Sequence, residues 1–149
     1  MEPMIYRYST ALKWIGEKKG ILRSNNKIDL EVACPPEFGG HKNIWSPEDM
    51  FLASVEVCTM TTFLFFSKKT DTTFSSYESN AEGIVKMVDN SFQFDSIRIF
   101  IKIQVESEKD KKKVERIFKH ITKTCLISNS IKPSVTYETK IDIRSLSEE

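Results

Sequence analysis

Apolar and polar residues are arranged differently in different parts of the chain, and each pattern predicts an element. Near the start, residues 5–14, 20–25 and 27–33 are rich in strand-forming residues. Turn signals separate them, with glycines bounding residues 16–20 and two asparagines at residues 25–26. We therefore expect an N-terminal antiparallel sheet of three strands.

A long apolar stretch over residues 45–69, with the sequence WSPEDMFLASVEVCTMTTFLFFSKK, predicts a helix. Ser46 suits the N-cap, and Pro47 suits the first helical position because its missing N–H would be unpaired there. Glu48 and Asp49 complement the helix dipole, and Asp49 also completes a capping-box pattern with Ser46. Since the helix is apolar on nearly every face, we expect a sheet to cover one side and another subunit to cover the other.

A membrane span is the alternative interpretation of this stretch. Between Met50 and Phe66 its only charged residue is Glu56. However, a span needs about 20 predominantly apolar residues, and a central carboxylate costs roughly a few kcal/mol. Three threonines also lie inside the stretch. We therefore interpret it as a core helix and expect no membrane partner.

The middle of the chain predicts a hairpin. Residues 77–88 and 94–106 have strand composition and flank a turn at residues 89–90. In the second strand, apolar residues alternate with polar ones from Ile97 to Val105. This alternation is typical of a strand with one buried face.

The last part of the chain predicts an amphipathic helix and a closing strand. Ser107 opens a helix over residues 108–125, in which apolar residues recur at spacings of three and four. Alternation returns over residues 135–143. The order β-β-β-α-β-β-α-β predicts a single α+β domain over residues 1–149, with antiparallel sheets packed on two helices. The apolar stripe of the second helix consists of Val114, Ile117, Phe118, Ile121 and Cys125.

The charge balance narrows the class of partner. Lys and Arg number 22 against 21 Asp and Glu, so the net charge of +1 favours neither nucleic acid nor an anionic membrane. The first ten residues lack a basic region followed by an apolar one, so we expect no secretory signal and a cytoplasmic protein. The three cysteines are then expected to be reduced thiols, and a disulfide between them would be catalytic or redox-sensing.

Two of the cysteines, Cys58 and Cys125, lie on the expected buried faces of the two helices. From position alone, both are interpreted most simply as small core residues. Cys34 lies in a loop and is taken as incidental. His41 and His120 lack the spacing to cysteines or carboxylates that a metal site requires, so no metal or other cofactor is predicted.

A motif pattern is carried by three segments: FGG at residues 38–40, WSPEDMFLASVEVC at residues 45–58 and CLISNSI at residues 125–131. Together they resemble the OsmC/Ohr family of osmotically inducible and organic hydroperoxide resistance proteins. The family pattern is a Gly-rich loop, a Pro-Glu helix start, a first cysteine ten residues after that glutamate, and a later Cys-Pro-x-Ser segment. Here Leu126 replaces the usual proline, whereas Ser128 matches.

The resemblance implies an intertwined homodimer with two active sites at the subunit interface. It also implies a thiol-dependent peroxidase that reduces organic hydroperoxides, with hydrogen peroxide as a possible second substrate and a thiol as reductant. In this assignment Cys58 is the peroxidatic cysteine, which attacks the O–O bond, and Cys125 is the resolving cysteine. Glu48 matches the glutamate at the helix start, and Lys18 in the segment GEKKG replaces a family arginine.

Thiol chemistry sets conditions on this assignment. A thiol with a pKa of about 8.5 is mostly protonated at neutral pH and needs a basic partner, for which Lys19 and Arg23 are alternatives to Lys18. Ten helical residues, about 15 Å along the axis, separate Glu48 from Cys58. Glu48 would therefore join the partner subunit's site, or else it only complements the helix dipole.

Two other interpretations stay open. In the first, the same scaffold serves as a redox-responsive binding or interaction protein whose thiols react once without turnover. The lysine at residue 18 and the leucine at residue 126 would then reflect lost turnover. In the second, the role is purely structural and both thiols are inert. Consumption of peroxide with a thiol reductant distinguishes the peroxidase from both.

Overall fold

The structure is a computed structural model and describes residues 2–144. It confirms the predicted α+β class and element order, and it adds the one-turn helix α3. The described residues form two compact units, one ending at Phe51 and the other beginning at Leu52. The prediction of a single domain concerns the arrangement of these units and stays a prediction. The strands and helices are β1 (Ala11–Gly16), β2 (Lys19–Arg23), β3 (Leu30–Ala33), α1 (Pro47–Lys69), β4 (Ser76–Val88), β5 (Ser91–Val105), α2 (Glu108–Thr124), α3 (Leu126–Asn129) and β6 (Ser134–Ile143).

The first unit is built on an antiparallel sheet in the order β1-β2-β3, as predicted. β1 begins at Ala11 rather than at residue 5 because Ala11 pairs with Arg23, the last residue of β2, so no neighbouring strand extends further. The turn between β1 and β2 requires positive φ angles, 114° at Gly16 and 50° at Glu17. A glycine takes such an angle without strain.

The Gly-Gly pair of the FGG segment is required by its surroundings. Gly39 has a φ of 79° and ends a short 3₁₀ turn over Pro36–Phe38. At Gly40, a Cβ atom would lie only 1.7 Å from the carbonyl oxygen of Cys34. The backbone of Cys34 therefore passes directly over Gly40, and no residue with a side chain fits this position without displacing it.

Helix α1 begins with the predicted capping box. The N–H of Asp49 donates to Ser46 Oγ at 3.1 Å, and the N–H of Ser46 donates to Asp49 Oδ2 at 3.1 Å. Pro47 is the first helical residue, and Glu48 and Asp49 lie in the first turn. Two backbone donors that the helix itself cannot satisfy thus have partners.

One stripe of α1 is buried, and its residues recur at every fourth position: Val55, Thr59, Phe63 and Ser67. The opposite face is open, with Val57 54% exposed and Phe65 62% exposed. By length and composition alone, α1 is also apolar enough to cross a membrane, since its most apolar stretch of 18 residues has a mean hydropathy of 1.6. In the structure, 22% of that stretch is buried. The buried stripe favours the predicted core helix, and the second subunit over the open face stays a prediction.

The second unit contains the predicted hairpin of β4 and β5, with positive φ angles at Asp89 and Asn90 in its turn. The apolar row of β5 forms the centre of the core, which confirms the interpretation of its alternating pattern. All members of this row are at most 2% exposed: Ile97, Ile99, Ile101, Ile103 and Val105.

Strand β6 pairs with β5 in parallel, from Ser134 opposite Ser96 to Ile143 opposite Val105. The structure thereby corrects the antiparallel pairing expected for this strand. The physical reason is the connection: α2 lies between β5 and β6 and carries the chain back to the end where β5 began, as in other parallel crossovers. The second sheet has the order β4-β5-β6.

Helix α2 packs through its predicted stripe, where Val114, Ile117 and Ile121 are buried and Cys125 follows the last helical residue. Its N-cap is Ser107, whose Oγ accepts from the N–H of Asp110 at 3.1 Å. An aromatic cluster joins the helices to the sheet. The ring of Phe63 lies between 5.1 and 5.5 Å from three other rings, those of Phe74, Tyr77 and Phe118.

Candidate functional site

Two helices bring Cys58 and Cys125 together inside the second unit. Cys58 lies in the middle of α1, at the border between the buried stripe and the open face, and it is half-buried. Cys125 is the residue between α2 and α3 and is fully buried. The two thiols are close enough for each to change the pKa of the other, and both are free. The structure therefore supplies a dithiol.

The surroundings of Cys58 favour its protonated form. Burial raises the pKa of the Cys58 thiol, and the neighbouring Cys125 raises it further. The N–H of Ile127 and the hydroxyl of Thr62 act in the opposite direction but do not compensate. Thr62 lies one turn along α1, with its Oγ1 3.9 Å from the Cys58 sulfur.

The surroundings of Cys125 favour its ionised form. Burial acts to raise the pKa of Cys125, but the Ser128 hydroxyl, the N–H groups of Ser128 and Ile127, and the Cys58 thiol together bring this pKa below its ordinary value. These N–H groups belong to the first turn of α3, although neither forms a full capping hydrogen bond to the sulfur. Local donors thus act more strongly on Cys125 than on Cys58.

A group of hydroxyls borders the two thiols. Ser128 Oγ and Tyr137 Oη are 2.8 Å apart, and the nearby Thr59 hydroxyl lowers the pKa of Tyr137. Burial raises the pKa of Tyr137, and the charges of Cys125 and Cys58 raise it as well, against the effects of Ser128 and Thr59. Tyr137 therefore keeps its proton at neutral pH and lies beside the sulfurs as a neutral phenol.

A second phenol, that of Tyr77, lies deeper in the same region. Its pKa is raised by burial, by Glu56 and by Tyr137, and its buried Oη has no hydrogen-bond partner among the described residues. Glu56 instead accepts a hydrogen bond from the Ser79 hydroxyl. The pKa values of the two cysteines are thus set mainly by burial, N–H groups, hydroxyls and the neighbouring thiol. No basic side chain from the described residues is among these main influences.

The other two predicted site residues, Glu48 and Lys18, lie in the first unit, so their placement relative to the thiols stays a prediction. The buried Oε2 of Glu48 has no hydrogen-bond partner within residues 2–144. Lys18 donates to the carbonyl oxygen of Phe38 at 3.4 Å and has no carboxylate partner within the same residues. Among the described residues, a buried carboxylate oxygen thus lacks a donor and an ammonium group lacks a carboxylate partner.

The two alternative cations are already paired. Lys19 Nζ lies 3.5 Å from Glu17 Oε2, and Arg23 Nε lies 3.1 Å from Asp29 Oδ2. Since both pairs are at least partly exposed to solvent, they are weak. The choice among Lys18, Lys19 and Arg23 as the cation of the site therefore stays a prediction.

Several residues beside the thiols were not predicted from the sequence as site residues. Thr62 is four residues after Cys58 and so must share its helix face, a signal that was present. Tyr137 lies at an apolar position of the alternating closing strand, which marks it as inward-facing but not as a neighbour of the thiols. Glu56 and Tyr77 gave no comparable signal, because only the tertiary packing brings them near Tyr137.

Comparison with known proteins identifies the family. A family model described as OsmC-like protein matches residues 39–140, which confirms the resemblance seen in the motifs. No curated protein sequence matches the chain.

Several solved structures share the fold at low sequence identity. An OsmC-like protein of unknown function from Vibrio cholerae has a TM-score of 0.83 and 18% identity, covering 91% of this chain and 100% of its own. An OsmC-like protein from Mycoplasma pneumoniae has a TM-score of 0.76 and 14% identity, and the match covers 93% of this chain and 99% of that protein. An organic hydroperoxide resistance protein from Elizabethkingia anophelis has a TM-score of 0.71 and 16% identity, and the match covers 96% of this chain and 100% of that protein. The matched residues span most of the chain, and the chain therefore belongs to the OsmC-like protein family.

Proposed function

We propose that this protein is a thiol-dependent peroxidase that reduces organic hydroperoxides through Cys58 and Cys125. The observation that carries the proposal is the pair itself: two free thiols that influence each other's ionisation, one half-buried and one fully buried. A half-buried sulfur can meet a substrate, and a buried neighbour can protect the oxidised product. The family membership and the name of the Elizabethkingia anophelis relative support the same reaction class.

In the proposed reaction, the Cys58 thiolate attacks the outer oxygen of the hydroperoxide. An S–O bond forms, the O–O bond breaks, and the alkoxide takes up a proton and leaves as an alcohol. Cys58 becomes a sulfenic acid, oxidised by two electrons. Cys125 then attacks this sulfur, so that a disulfide forms and the oxygen leaves as water. An external thiol reduces the disulfide and completes the cycle.

A homodimer fits this reaction, and it is the usual assembly of the family. The open face of α1, with Val57 and Phe65 exposed, offers a second copy an apolar surface that borders Cys58. The same apolar surface would favour an alkyl or aryl hydroperoxide over a strongly hydrated one. We propose that Lys18 and Glu48, both lacking a charged partner in the first unit, complete the site across the interface.

The test is a turnover assay with the purified protein. Cumene hydroperoxide and hydrogen peroxide are compared as substrates, with dihydrolipoamide and a monothiol as reductants. We expect many equivalents of cumene hydroperoxide to be consumed with the dithiol, and the Cys34→Ser variant to behave as the wild type because Cys34 lies outside the thiol pair.

Consumption that stops after one equivalent would replace the proposal with the redox-responsive binding or interaction protein. If the peroxide is not consumed at all and both thiols stay reduced, the thiol pair is structural. Either result would contradict the peroxidase.

A further inference from the structure

The third cysteine, Cys34, shares one hydrogen-bond acceptor with Lys18. The Cys34 thiol donates to the carbonyl oxygen of Phe38 at 3.5 Å, and the ammonium group of Lys18 donates to the same oxygen at 3.4 Å. The separation between Sγ and Nζ therefore cannot exceed the sum of these two distances. The backbones are held together as well, because the N–H of Cys34 donates to the carbonyl oxygen of Lys18 at 3.1 Å. A thiol and an amine thus meet at one carbonyl oxygen of the first unit.

The glycines of the FGG segment leave room for this pair. A Cβ atom at Gly39 would lie 2.9 Å from Lys18 Nζ, and a Cβ atom at Gly40 would lie 2.9 Å from Cys34 Cβ. Both distances are shorter than ordinary van der Waals contact between such atoms. A side chain at either glycine would therefore displace the amine or the thiol from its place beside Phe38.

A cavity gives an oxidant access to both groups. Cys34 and Lys18 line a cavity of about 560 Å³ in the first unit, together with apolar side chains that include Leu12, Trp14 and Met50. Within this unit Cys34 is half-buried and Lys18 is exposed. A mostly apolar cavity of this size suits an alkyl or aryl hydroperoxide.

We propose that Cys34 and Lys18 form a redox-sensitive pair, in which oxidation of the thiol by a hydroperoxide leads to a covalent bond between Sγ and Nζ. In the first step the Cys34 sulfur attacks the hydroperoxide, so that an S–O bond forms, the O–O bond breaks and an alcohol leaves with the thiol proton. The sulfur is oxidised by two electrons to a sulfenic acid. In the second step the neutral amine of Lys18 attacks this sulfur, the S–N bond forms, and the oxygen leaves as water with one hydrogen from the amine.

The surroundings of Cys34 favour an amine as the second reactant. A sulfenic acid condenses with a thiol or with a nitrogen nucleophile, and Cys34 is the only cysteine in the sequence of the first unit. Lys18 carries its amine on a flexible four-carbon stem, so Nζ can move from the Phe38 oxygen to the sulfur. Lys19 also borders the cavity, but its Nζ lies 3.5 Å from Glu17 Oε2.

The bond would change the charge available to the thiol pair. A nitrogen bonded to sulfur in this way carries no positive charge, so the bond removes the ammonium group that the proposed function places across the interface. This consequence rests on the proposed function, whereas formation of the bond does not require turnover. Thiols reverse this oxidation state of cysteine and restore both groups. In the turnover assay above, the dithiol therefore keeps Cys34 reduced, and Cys34→Ser matches the wild type there.

The experiment is mass spectrometry of the full chain after excess cumene hydroperoxide without a reductant. Cleavage after glutamate places the two groups on separate fragments, residues 18–31 and 32–37. We expect the fragments to be joined, with a mass two hydrogens below their sum, and to be released by dihydrolipoamide. Lys18→Arg keeps the positive charge but should abolish the joined fragments, because a guanidinium does not give up its proton in proteins. Lys19→Arg is the matched control and should retain them.

The Cys58→Ser variant separates this inference from the proposed function. It removes the proposed peroxidatic sulfur and leaves the first unit unchanged, so the joined fragments should still form. Joined fragments in a protein that does not turn over peroxide would support the Cys34 and Lys18 pair while contradicting the peroxidase. Separate fragments in both the wild type and Cys58→Ser, joined fragments that persist in Lys18→Arg, or Cys34 found only in a disulfide or as a sulfinic acid would each overturn the proposal.

Discussion

At the scale of single residues, accessibility and ionisation lie on different sulfurs. Cys58 is half-buried and its pKa is raised by burial, whereas Cys125 is fully buried and its pKa is lowered by Ser128 and its neighbours. The sulfur that a substrate can reach is therefore the one whose burial opposes ionisation, and a proton must leave it before it can attack a hydroperoxide.

Single cysteine variants should separate the two roles. We expect Cys58→Ser to abolish peroxide reduction, because the accessible sulfur is lost. Cys125→Ser should still be oxidised once at Cys58, and its sulfenic acid should go on to sulfinic acid because no resolving thiol is present. Mass spectrometry after stoichiometric and excess peroxide measures both outcomes. Equal first oxidation of Cys58 and Cys125 in the two variants would contradict the assignment.

The sequence allowed part of this residue-scale picture to be predicted. The helix-start motif and the later Cys-x-x-Ser segment identified Cys58 and Cys125, since both lie in short local patterns. Tyr137 could not be found in this way, because its contact with Ser128 depends on where β6 docks. The difference between the two thiols was only partly hidden, since Ile127 and Ser128 directly follow Cys125 in the sequence, whereas burial and the approach of Cys58 depend on the tertiary packing.

At the scale of elements, the two long helices begin in the same manner. Ser46 caps α1 and Ser107 caps α2, each through a hydrogen bond from the N–H three residues later. In both cases the aspartate at this third position also accepts a hydrogen bond from the serine. Asp49 accepts from the N–H of Ser46, and Asp110 accepts from the hydroxyl of Ser107. The start of α1 is thereby defined, and with it the position of Cys58 along the helix.

Removal of the α1 cap should destabilise the protein measurably. Ser46→Ala leaves the N–H of Asp49 without its acceptor, and we expect the free energy of unfolding to fall by about 1 kcal/mol. Denaturant unfolding at one fixed protein concentration measures the change. Ser46→Thr keeps a hydroxyl at the cap and should stay within roughly half a kcal/mol of the wild type. An equal loss in both variants would show that the cap is not the cause.

Element type followed from the sequence more completely than strand direction did. The alternation in β5 and the spacing in α2 each reflect one buried face, which the chain encodes locally. The same alternation in β6 marks its buried face but is identical for parallel and antiparallel pairing. Direction depends on the α2 crossover, and β1 was predicted too long because its extent depends on the length of β2.

At the scale of the whole molecule, the open face of α1 is an apolar surface that needs a partner. Val57 and Phe65 are more than half exposed, on a helix whose other side is buried in the core. A long helix with such an apolar surface in water is unfavourable unless another surface covers it. A second copy of the chain, as proposed above, provides that cover.

A charge on this face should disrupt the assembly. We expect the wild type to sediment as a dimer and Phe65→Glu to sediment as a monomer at the same concentration, because a buried carboxylate without a partner is strongly disfavoured. Lys112→Gln, which changes the net charge by the same amount at an exposed position of α2, is the control and should remain dimeric. A monomeric wild type, or a dimeric Phe65→Glu variant, would contradict the proposed interface.

The parallel pairing of β6 has a consequence for local unfolding. In the order β4-β5-β6, β6 is an edge strand of its unit, and it is joined to β5 only through the long connection that contains α2 and α3. Pairing an edge strand across a long connection costs more chain entropy than pairing the two strands of a hairpin. Such a strand is therefore among the first parts of the sheet to unfold locally. Its departure would carry Tyr137 away from Ser128 while the hairpin of β4 and β5 stayed intact. Fraying at this edge of the sheet would therefore break the contact between Ser128 and Tyr137 before the rest of the sheet opens.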